Sequence, residues 1–166
     1  MAWVAVGHSG VLGGLVLGAV LGLVLLAPVA GALLQDLLIS VTRFFRDPAA
    51  FARLKNEVVP AICEQAGSEG IRVWVAGCAT GEEAYSLAML LCDEADRMAE
   101  PPLLQVFATD IDERAISRAR TGLYPASVVT DVPPSRLREY FSKEQQRYRV
   151  KKGLRDKVLF GDVWEW

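Results

Sequence analysis

The chain has 166 residues, with 18 basic and 20 acidic side chains that give a formal net charge of −2. This length allows one domain. Because the charges are so nearly balanced, the net charge indicates no particular class of partner. Three widely spaced cysteines without a C-x-x-C pair, and a single histidine, argue against a zinc site and against a disulfide framework. We therefore expect no bound metal.

The first 35 residues differ in composition from the rest. No residue from Gly10 to Leu34 is charged, and nearly every one is Gly, Ala, Val or Leu. That length suits a membrane-spanning helix, which needs about 20 apolar residues. Glycine at every fourth position also gives a smooth face for helix packing. The sequence thus predicts a transmembrane helix over Val11–Leu34. The first basic residues, Arg43 and Arg46, follow it, which favours a cytoplasmic location for the remainder.

Two other interpretations of this leader stay open. Ala30-Gly31-Ala32 resembles a signal-peptide cleavage site, although no Lys or Arg precedes the apolar run. Alternatively the leader is spurious, and the protein is then plainly cytoplasmic.

A helix is predicted to begin at Asp47-Pro48, because aspartate caps helices well and proline suits the first helical position. Its predicted core face consists of Phe51, Leu54, Val58 and Ile62. Pro60 should bend or shorten this helix, since proline lacks the N–H of a helical hydrogen bond.

The most informative stretch runs from Arg72 to Asp112. The short apolar run Arg72–Ala76, rich in β-branched and aromatic residues, predicts a buried parallel strand. The glycine-bearing turn Gly77–Gly81 follows, then a helix, then a strand over Leu104–Thr109. The apolar residues of this helix recur at period 3.6 and form one face: Ala84, Leu87, Ala88, Leu91 and Ala95. Asp110 and Asp112 close that second strand. This strand–helix–strand order predicts the nucleotide-binding half of a doubly wound α/β sheet, a Rossmann-like fold.

The turn does not suit a phosphate ligand. Its sequence is not the G-x-G-x-x-G of dinucleotide-binding turns. Glu82 and Glu83 also occupy the first helical turn, where their negative charges interact favourably with the helix dipole but repel phosphate. S-adenosylmethionine fits better, because it has a cationic sulfonium and no phosphate, and because Asp110 can accept hydrogen bonds from its ribose hydroxyls. The alternative is an ordinary βαβ unit whose acids merely cap helices. Cys78, within the turn, is interpreted as a small apolar residue and not as a nucleophile.

Beyond the second strand, a short helix capped by Asp112 is predicted around Ala115, Ile116 and Ala119. Another helix is predicted over Ser135 to Phe141, and a third core strand over Lys157 to Phe160.

The stretch from Arg136 to Lys157 is basic. It has nine Lys or Arg against three acids, a net of 9 − 3 = +6. Such a stretch attracts an acidic partner surface or is simply a solvated face. No ladder of aromatic residues is interleaved, so nucleic acid is not indicated.

Several motifs together resemble those of the CheR-type chemotaxis receptor methyltransferases, which use S-adenosylmethionine to esterify receptor glutamates. The resemblance covers Leu37 to Phe160. It is carried by Ser40-Val41-Thr42-Arg43-Phe44-Phe45-Arg46-Asp47-Pro48, Ala76-Gly77-Cys78-Ala79-Thr80-Gly81-Glu82-Glu83-Ala84-Tyr85-Ser86, Phe107-Ala108-Thr109-Asp110-Ile111-Asp112, Ala119-Arg120-Thr121-Gly122-Leu123-Tyr124-Pro125 and Leu154-Arg155-Asp156-Lys157-Val158-Leu159-Phe160.

The resemblance implies a cofactor site and an acceptor site. Arg46 is the implied catalytic residue, which orients the acceptor carboxylate, and Tyr148-Arg149-Val150 falls in a small β-subdomain that grips receptor tails in some members. Ser40 stands where the family usually has asparagine. The implied cofactor-binding residues are Ser40, Thr42, Arg46, Gly77, Gly81, Glu82, Glu83 and Asp110.

The expected organisation is an apolar leader over residues 1–35 and a partial methyltransferase domain over 36–166. The family continues well beyond the third core strand, so by resemblance the chain is truncated at both ends and we expect it to be catalytically silent alone. The alternative function is a non-catalytic, membrane-tethered interaction module that retains the front half of the fold.

Overall fold

The computed structural model describes residues 42–66 and 70–162. The predicted transmembrane helix over Val11–Leu34 and the predicted site residue Ser40 lie outside the described residues. Within the described ranges, no helix has both the length and the apolarity needed to cross a bilayer.

The first described helix begins as predicted, at Asp47-Pro48. Asp47 Oδ1 accepts hydrogen bonds from the backbone N–H groups of Ala49 and Ala50, at 3.0 and 3.1 Å. The helix has three parts: α1 (Pro48–Arg53), a π-helical turn (Leu54–Val58) and α2 (Val59–Gln65). The π-turn lies just before Pro60. Because proline has no N–H, it cannot donate to the carbonyl four residues earlier. The helix contains instead the π-type hydrogen bond from Val59 N–H to Leu54 O.

Because of the π-turn, the prediction that Val58 and Ile62 belong to the core face is wrong. Val58 is 41% exposed and Ile62 is also exposed, whereas Val59 and Cys63 are 2% exposed. A π-turn inserts one extra residue into the helical repeat. The buried positions therefore move by one residue along the chain.

The central sheet is parallel and contains the three predicted core strands. They are β1 (Ile71–Ala76), β2 (Leu104–Asp110) and, after three further strands, β6 (Val158–Asp162), in the spatial order β1-β2-β6. Helix α3 (Glu82–Ala95) connects β1 to β2, and α4 (Glu113–Thr121) follows β2. The mixed α/β fold with a parallel sheet is the predicted one and is consistent with a methyltransferase fold.

The two helices cover one face of this sheet. Val75, Val106, Ala108 and Phe160 are buried on that face against α3 and α4. On the other face Trp74 is 68% exposed. Helix α3 is buried on nearly all sides, including Tyr85 and Met89, which lie off the predicted apolar face. The reason is that the second sheet and the N-terminal segment pack on it as well.

The second sheet is small and antiparallel. Its strands are β3 (Leu123–Pro125), β4 (Phe141–Glu144) and β5 (Arg147–Val150), in the order β3-β5-β4. The predicted β-subdomain around Tyr148 is this sheet. A 3₁₀ turn (Ala126–Thr130) and the helices α5 (Pro134–Tyr140) and α6 (Lys152–Arg155) connect its strands to each other and to β6.

Candidate functional site

The parallel register brings the glycine turn and Asp110 together. Ala76 at the end of β1 is paired with Thr109 in β2, so the residues that follow each strand meet at the carboxyl edge. Cys78 N–H donates to Thr109 O at 3.0 Å, and Ala79 N–H donates to Asp110 Oδ2 at 2.7 Å. The edge where α/β sheets bind ligands is therefore formed by this turn and this carboxylate.

Asp110 is also held from the other side. Its Oδ1 accepts the backbone N–H of Asp112 at 2.9 Å. Each carboxylate oxygen has two lone pairs, so each oxygen keeps one acceptor position for the hydroxyl of a ligand. Asp112 itself caps α4, as predicted, and accepts from the N–H groups of Arg114 and Ala115.

The turn needs glycine most clearly at position 81. Gly81 has φ of 91°, a left-handed conformation that side chains disfavour. A Cβ there would lie 2.9 Å from Ala119 Cβ and 3.0 Å from the Phe160 ring. Gly77 is also left-handed, at φ 68°, but nothing lies within 4 Å of a Cβ at that position. Gly81 thus permits close packing of the turn on α4 and β6, and Gly77 leaves open space beside the strand end.

The two glutamates that follow the turn differ in environment. Glu82 is half-buried, and its Oε2 accepts a hydrogen bond from Thr80 Oγ1 at 2.6 Å. Burial raises the pKa of the Glu82 carboxyl, against the lowering effect of that hydrogen bond. Glu83 is exposed. Glu82 is therefore part of the packed turn, whereas Glu83 is accessible from solvent.

Cys78 behaves as a buried apolar residue, as predicted. Its side chain is 1% exposed, and burial, followed by the negative charge of Asp110, raises the pKa of the thiol to about 12. The thiolate is the nucleophilic form of cysteine. Cys78 therefore stays neutral at physiological pH.

The predicted residues Thr42 and Arg46 lie at the two ends of a short N-terminal segment, residues 42–46, which we call the strap. Phe44 anchors it by packing edge-on against Tyr124 and Phe141, with ring centroids 4.8 and 5.5 Å apart. Phe45 N–H donates to Ser86 Oγ at 3.1 Å, and Ser86 in turn donates to Glu82 O. The strap is thus attached to the first turns of α3, the helix that the glycine turn begins.

A cavity of about 550 Å³ borders the turn. Among the predicted site residues that the structure describes, Glu82 alone lines it, together with Thr80 and residues of α4, β3 and β5. Tyr124, from β3, donates its hydroxyl to Thr80 O at 2.7 Å. Thr80, Ser86 and Tyr124 were not predicted as part of the site. Their positions depend on contacts between segments far apart in sequence, although all three belong to the quoted motifs.

The turn, the acidic strand end and the parallel sheet define a Rossmann-like α/β domain with a candidate ligand site at the carboxyl edge of the sheet. The model of the family described as "CheR methyltransferase, SAM binding domain" matches residues 40–163. The chain belongs to this family, as the motifs indicated. The matched domain is an S-adenosylmethionine-binding domain, so the predicted cofactor is confirmed.

Three relatives are similar to most of this chain, and two of them are named as methyltransferases. A chemotaxis protein methyltransferase of Escherichia coli is 34% identical over 136 residues, 80% of this chain and 45% of that protein. A putative methyltransferase of Pseudomonas putida is 40% identical over 124 residues, 75% of this chain and 38% of the relative. An uncharacterised 104.1 kDa protein of Rhodobacter capsulatus is 39% identical over 130 residues, 78% of this chain and 14% of the relative. The chain therefore spans less than half the length of each of these three proteins.

Proposed function

We propose that this chain provides the cofactor-binding part of a protein-glutamate O-methyltransferase that acts on chemotaxis receptors. The observation that carries the proposal is the joining of the Gly77–Gly81 turn to Asp110 at the carboxyl edge of the parallel sheet. The family match and the relatives named as chemotaxis protein methyltransferases support it.

The cofactor would lie along the turn. Asp110 would accept hydrogen bonds from the ribose hydroxyls. Each of its carboxylate oxygens accepts one backbone N–H, from Ala79 or Asp112, and has a second lone pair for such a bond. Gly77 leaves room for the ligand to approach the backbone, and the exposed carboxylate of Glu83 suits the cationic part of S-adenosylmethionine better than the packed carboxylate of Glu82 does. Thr42 and Ser40 would contact the cofactor from the N-terminal side.

The acceptor would be a glutamate carboxylate. A carboxylate is ionised at neutral pH, so the reaction needs no general base. S-adenosylmethionine supplies an electrophilic methyl group when bound. What the chain has to provide is alignment of the acceptor and exclusion of water. Arg46 would hold the acceptor carboxylate, since a guanidinium binds both carboxylate oxygens in one plane.

We further propose that the methyltransferase domain, residues 36–166, faces the cytoplasm behind a membrane helix over Val11–Leu34. Uncharged, apolar composition over that span supports this part. The basic residues of β5 and α6 would attract acidic receptor segments.

The test of the acceptor chemistry is transfer of labelled methyl groups to acidic receptor helices, counted as base-labile methyl. It is run with this chain and with a chimera that joins residues 36–162 to the remaining C-terminal part of the Escherichia coli relative. The chimera should incorporate label, and Arg46→Ala should abolish incorporation. Arg53→Ala, an exposed arginine of α1 that pairs with Glu57, is the matched control and should leave incorporation unchanged. Equal incorporation by the Arg46→Ala and Arg53→Ala chimeras would contradict the role of Arg46.

A further inference from the structure

A partly buried ion pair lies beneath the strap. Arg136 of α5 and Asp93 of α3 approach closely, with Nε and Nη2 of the arginine 2.7 and 2.6 Å from Asp93 Oδ2. The Arg136 side chain is only 14% exposed. A pair held by two N–H groups and largely removed from water has a defined geometry.

Asp93 is fixed by a second partner. Its other oxygen, Oδ1, accepts the hydroxyl hydrogen of Tyr140 at 2.6 Å. Tyr140 and Arg136 lie one helical turn apart on α5, so this single carboxylate fixes α5 to α3 at two points. The guanidinium of Arg136 is thereby held in one orientation.

That guanidinium lies over an aromatic ring of the strap. Arg136 Cζ is 5.0 Å from the centroid of the Phe45 ring, within the range of a cation–π contact. The ring also meets Phe51 of α1 edge-on, at 5.3 Å. Phe45 has φ of 51°, a left-handed conformation that is rare for a bulky residue and persists only where the surroundings hold it.

We propose that Arg136 is a positioning residue for the strap: clamped by Asp93, it holds Phe45 in its left-handed conformation and so fixes where the next residue, Arg46, projects. The inference rests on the proposed function only for what Arg46 does there. The holding of the strap is a property of the chain itself and can be tested without a cofactor.

The primary test is amide hydrogen exchange of the full chain, resolved by residue. Arg136→Met keeps an apolar stem but removes the guanidinium. It should speed the exchange of the Phe45 amide, which donates to Ser86 Oγ, about tenfold, the effect of losing a cation–π contact. Arg138→Met, an exposed residue of the same helix, is the matched control and should change nothing in the strap. Arg136→Lys retains the charge beside Asp93 but not the planar group over the ring, and should restore part of the protection.

The pattern of exchange separates positioning from a merely structural role. A rise in exchange that is larger in the strap than in α3 and α5 supports the proposal. Unchanged strap exchange, or an equal rise throughout α3 and α5, overturns it.

A second variant covers the case in which Arg136→Met does not fold. Phe45→Leu removes the ring and leaves the Arg136–Asp93 pair intact. It should produce the same local increase, and adding Arg136→Lys to it should have no further effect, because coupled residues are not additive. Additive increases would overturn the proposal.

The functional consequence is read from cofactor affinity. When only a fraction of molecules has the strap in place, the apparent dissociation constant rises as that fraction falls. Arg136→Met should therefore weaken S-adenosylmethionine binding, and Arg138→Met should not. If the unmodified chain binds no S-adenosylmethionine, the proposed cofactor site fails, while the exchange experiment still decides whether Arg136 holds the strap.

Discussion

Asp110 and Ala79 are joined by a 2.7 Å hydrogen bond from the backbone N–H of Ala79 to Oδ2 of Asp110. This contact links the end of β2 to the turn that follows β1, and Asp112 N–H holds the other oxygen. A charged acceptor is thereby fixed at the edge of the sheet, in contact with the backbone along which the cofactor is proposed to lie.

Replacing Asp110 by asparagine should weaken S-adenosylmethionine binding by about 1–3 kcal/mol, because a charge-assisted acceptor is lost. Asp112→Asn is the matched control, since asparagine caps a helix as well as aspartate does. Titration calorimetry measures both affinities, and unfolding curves check that each variant is folded. Equal affinity of the Asp110→Asn variant and the unmodified chain would refute the ribose assignment.

Gly81→Ala should destabilise the fold by about 2 kcal/mol or more, because the new Cβ is strained at φ 91° and collides with Ala119 and Phe160. Gly153→Ala in α6 meets open space and should be neutral or slightly stabilising. Urea unfolding measures the difference between the two variants. If both have the same midpoint, Gly81 is not required by packing.

The stability of the chain should depend on the ionisation of Glu82. Burial raises the pKa of this carboxyl above its ordinary value of 4.5, so the folded chain binds the proton more tightly than the unfolded chain does. By linkage, the resulting stabilisation is complete below pH 4.5 and is lost as pH rises through the folded-state pKa.

Glu82→Gln should therefore be more stable than the unmodified chain at neutral pH, with the advantage shrinking as pH falls to 4.5. The glutamine oxygen can still accept from Thr80. Glu83→Gln, an exposed change in the same helical turn, controls for the lost charge near the helix N-terminus. Unfolding curves between pH 4 and pH 8 measure all three proteins, and a Glu82→Gln advantage that grows on acidification would contradict this account.

The leader gives a separate prediction. If Val11–Leu34 spans a bilayer, the full-length chain should remain with membranes through a carbonate wash and require detergent for extraction. Full-length protein in the soluble fraction would contradict the span, and shortened soluble protein would indicate cleavage near Ala32.

Much of the fold could be predicted from local sequence. The three core strands are apolar runs bounded by turn residues, and Asp47 and Asp112 cap the helices expected of them. The proximity of the glycine turn to Asp110 could also be predicted, because neighbouring parallel strands place their carboxyl ends at the same edge of the sheet.

The remaining features depend on tertiary packing. The exposure of Val58 follows from the π-turn before Pro60, which a regular helical period does not anticipate. The burial of Tyr85 and Ser86 follows from the strap and the second sheet packing on α3, contacts between segments that are distant in the chain. The pair of Asp93 with Arg136 has the same origin, since 43 residues separate the two.

The central claim is that S-adenosylmethionine binds at the carboxyl edge between the glycine turn and Asp110. The most direct test is titration of the ¹⁵N-labelled chain with S-adenosylmethionine while amide resonances are recorded. The account predicts saturable shifts of the Gly77, Ala79 and Gly81 amides and of Asp112, and their loss in Asp110→Asn. Saturable shifts confined to residues such as Arg118 and Arg147, on the far walls of the cavity beside the turn, or no shifts at all, would contradict it.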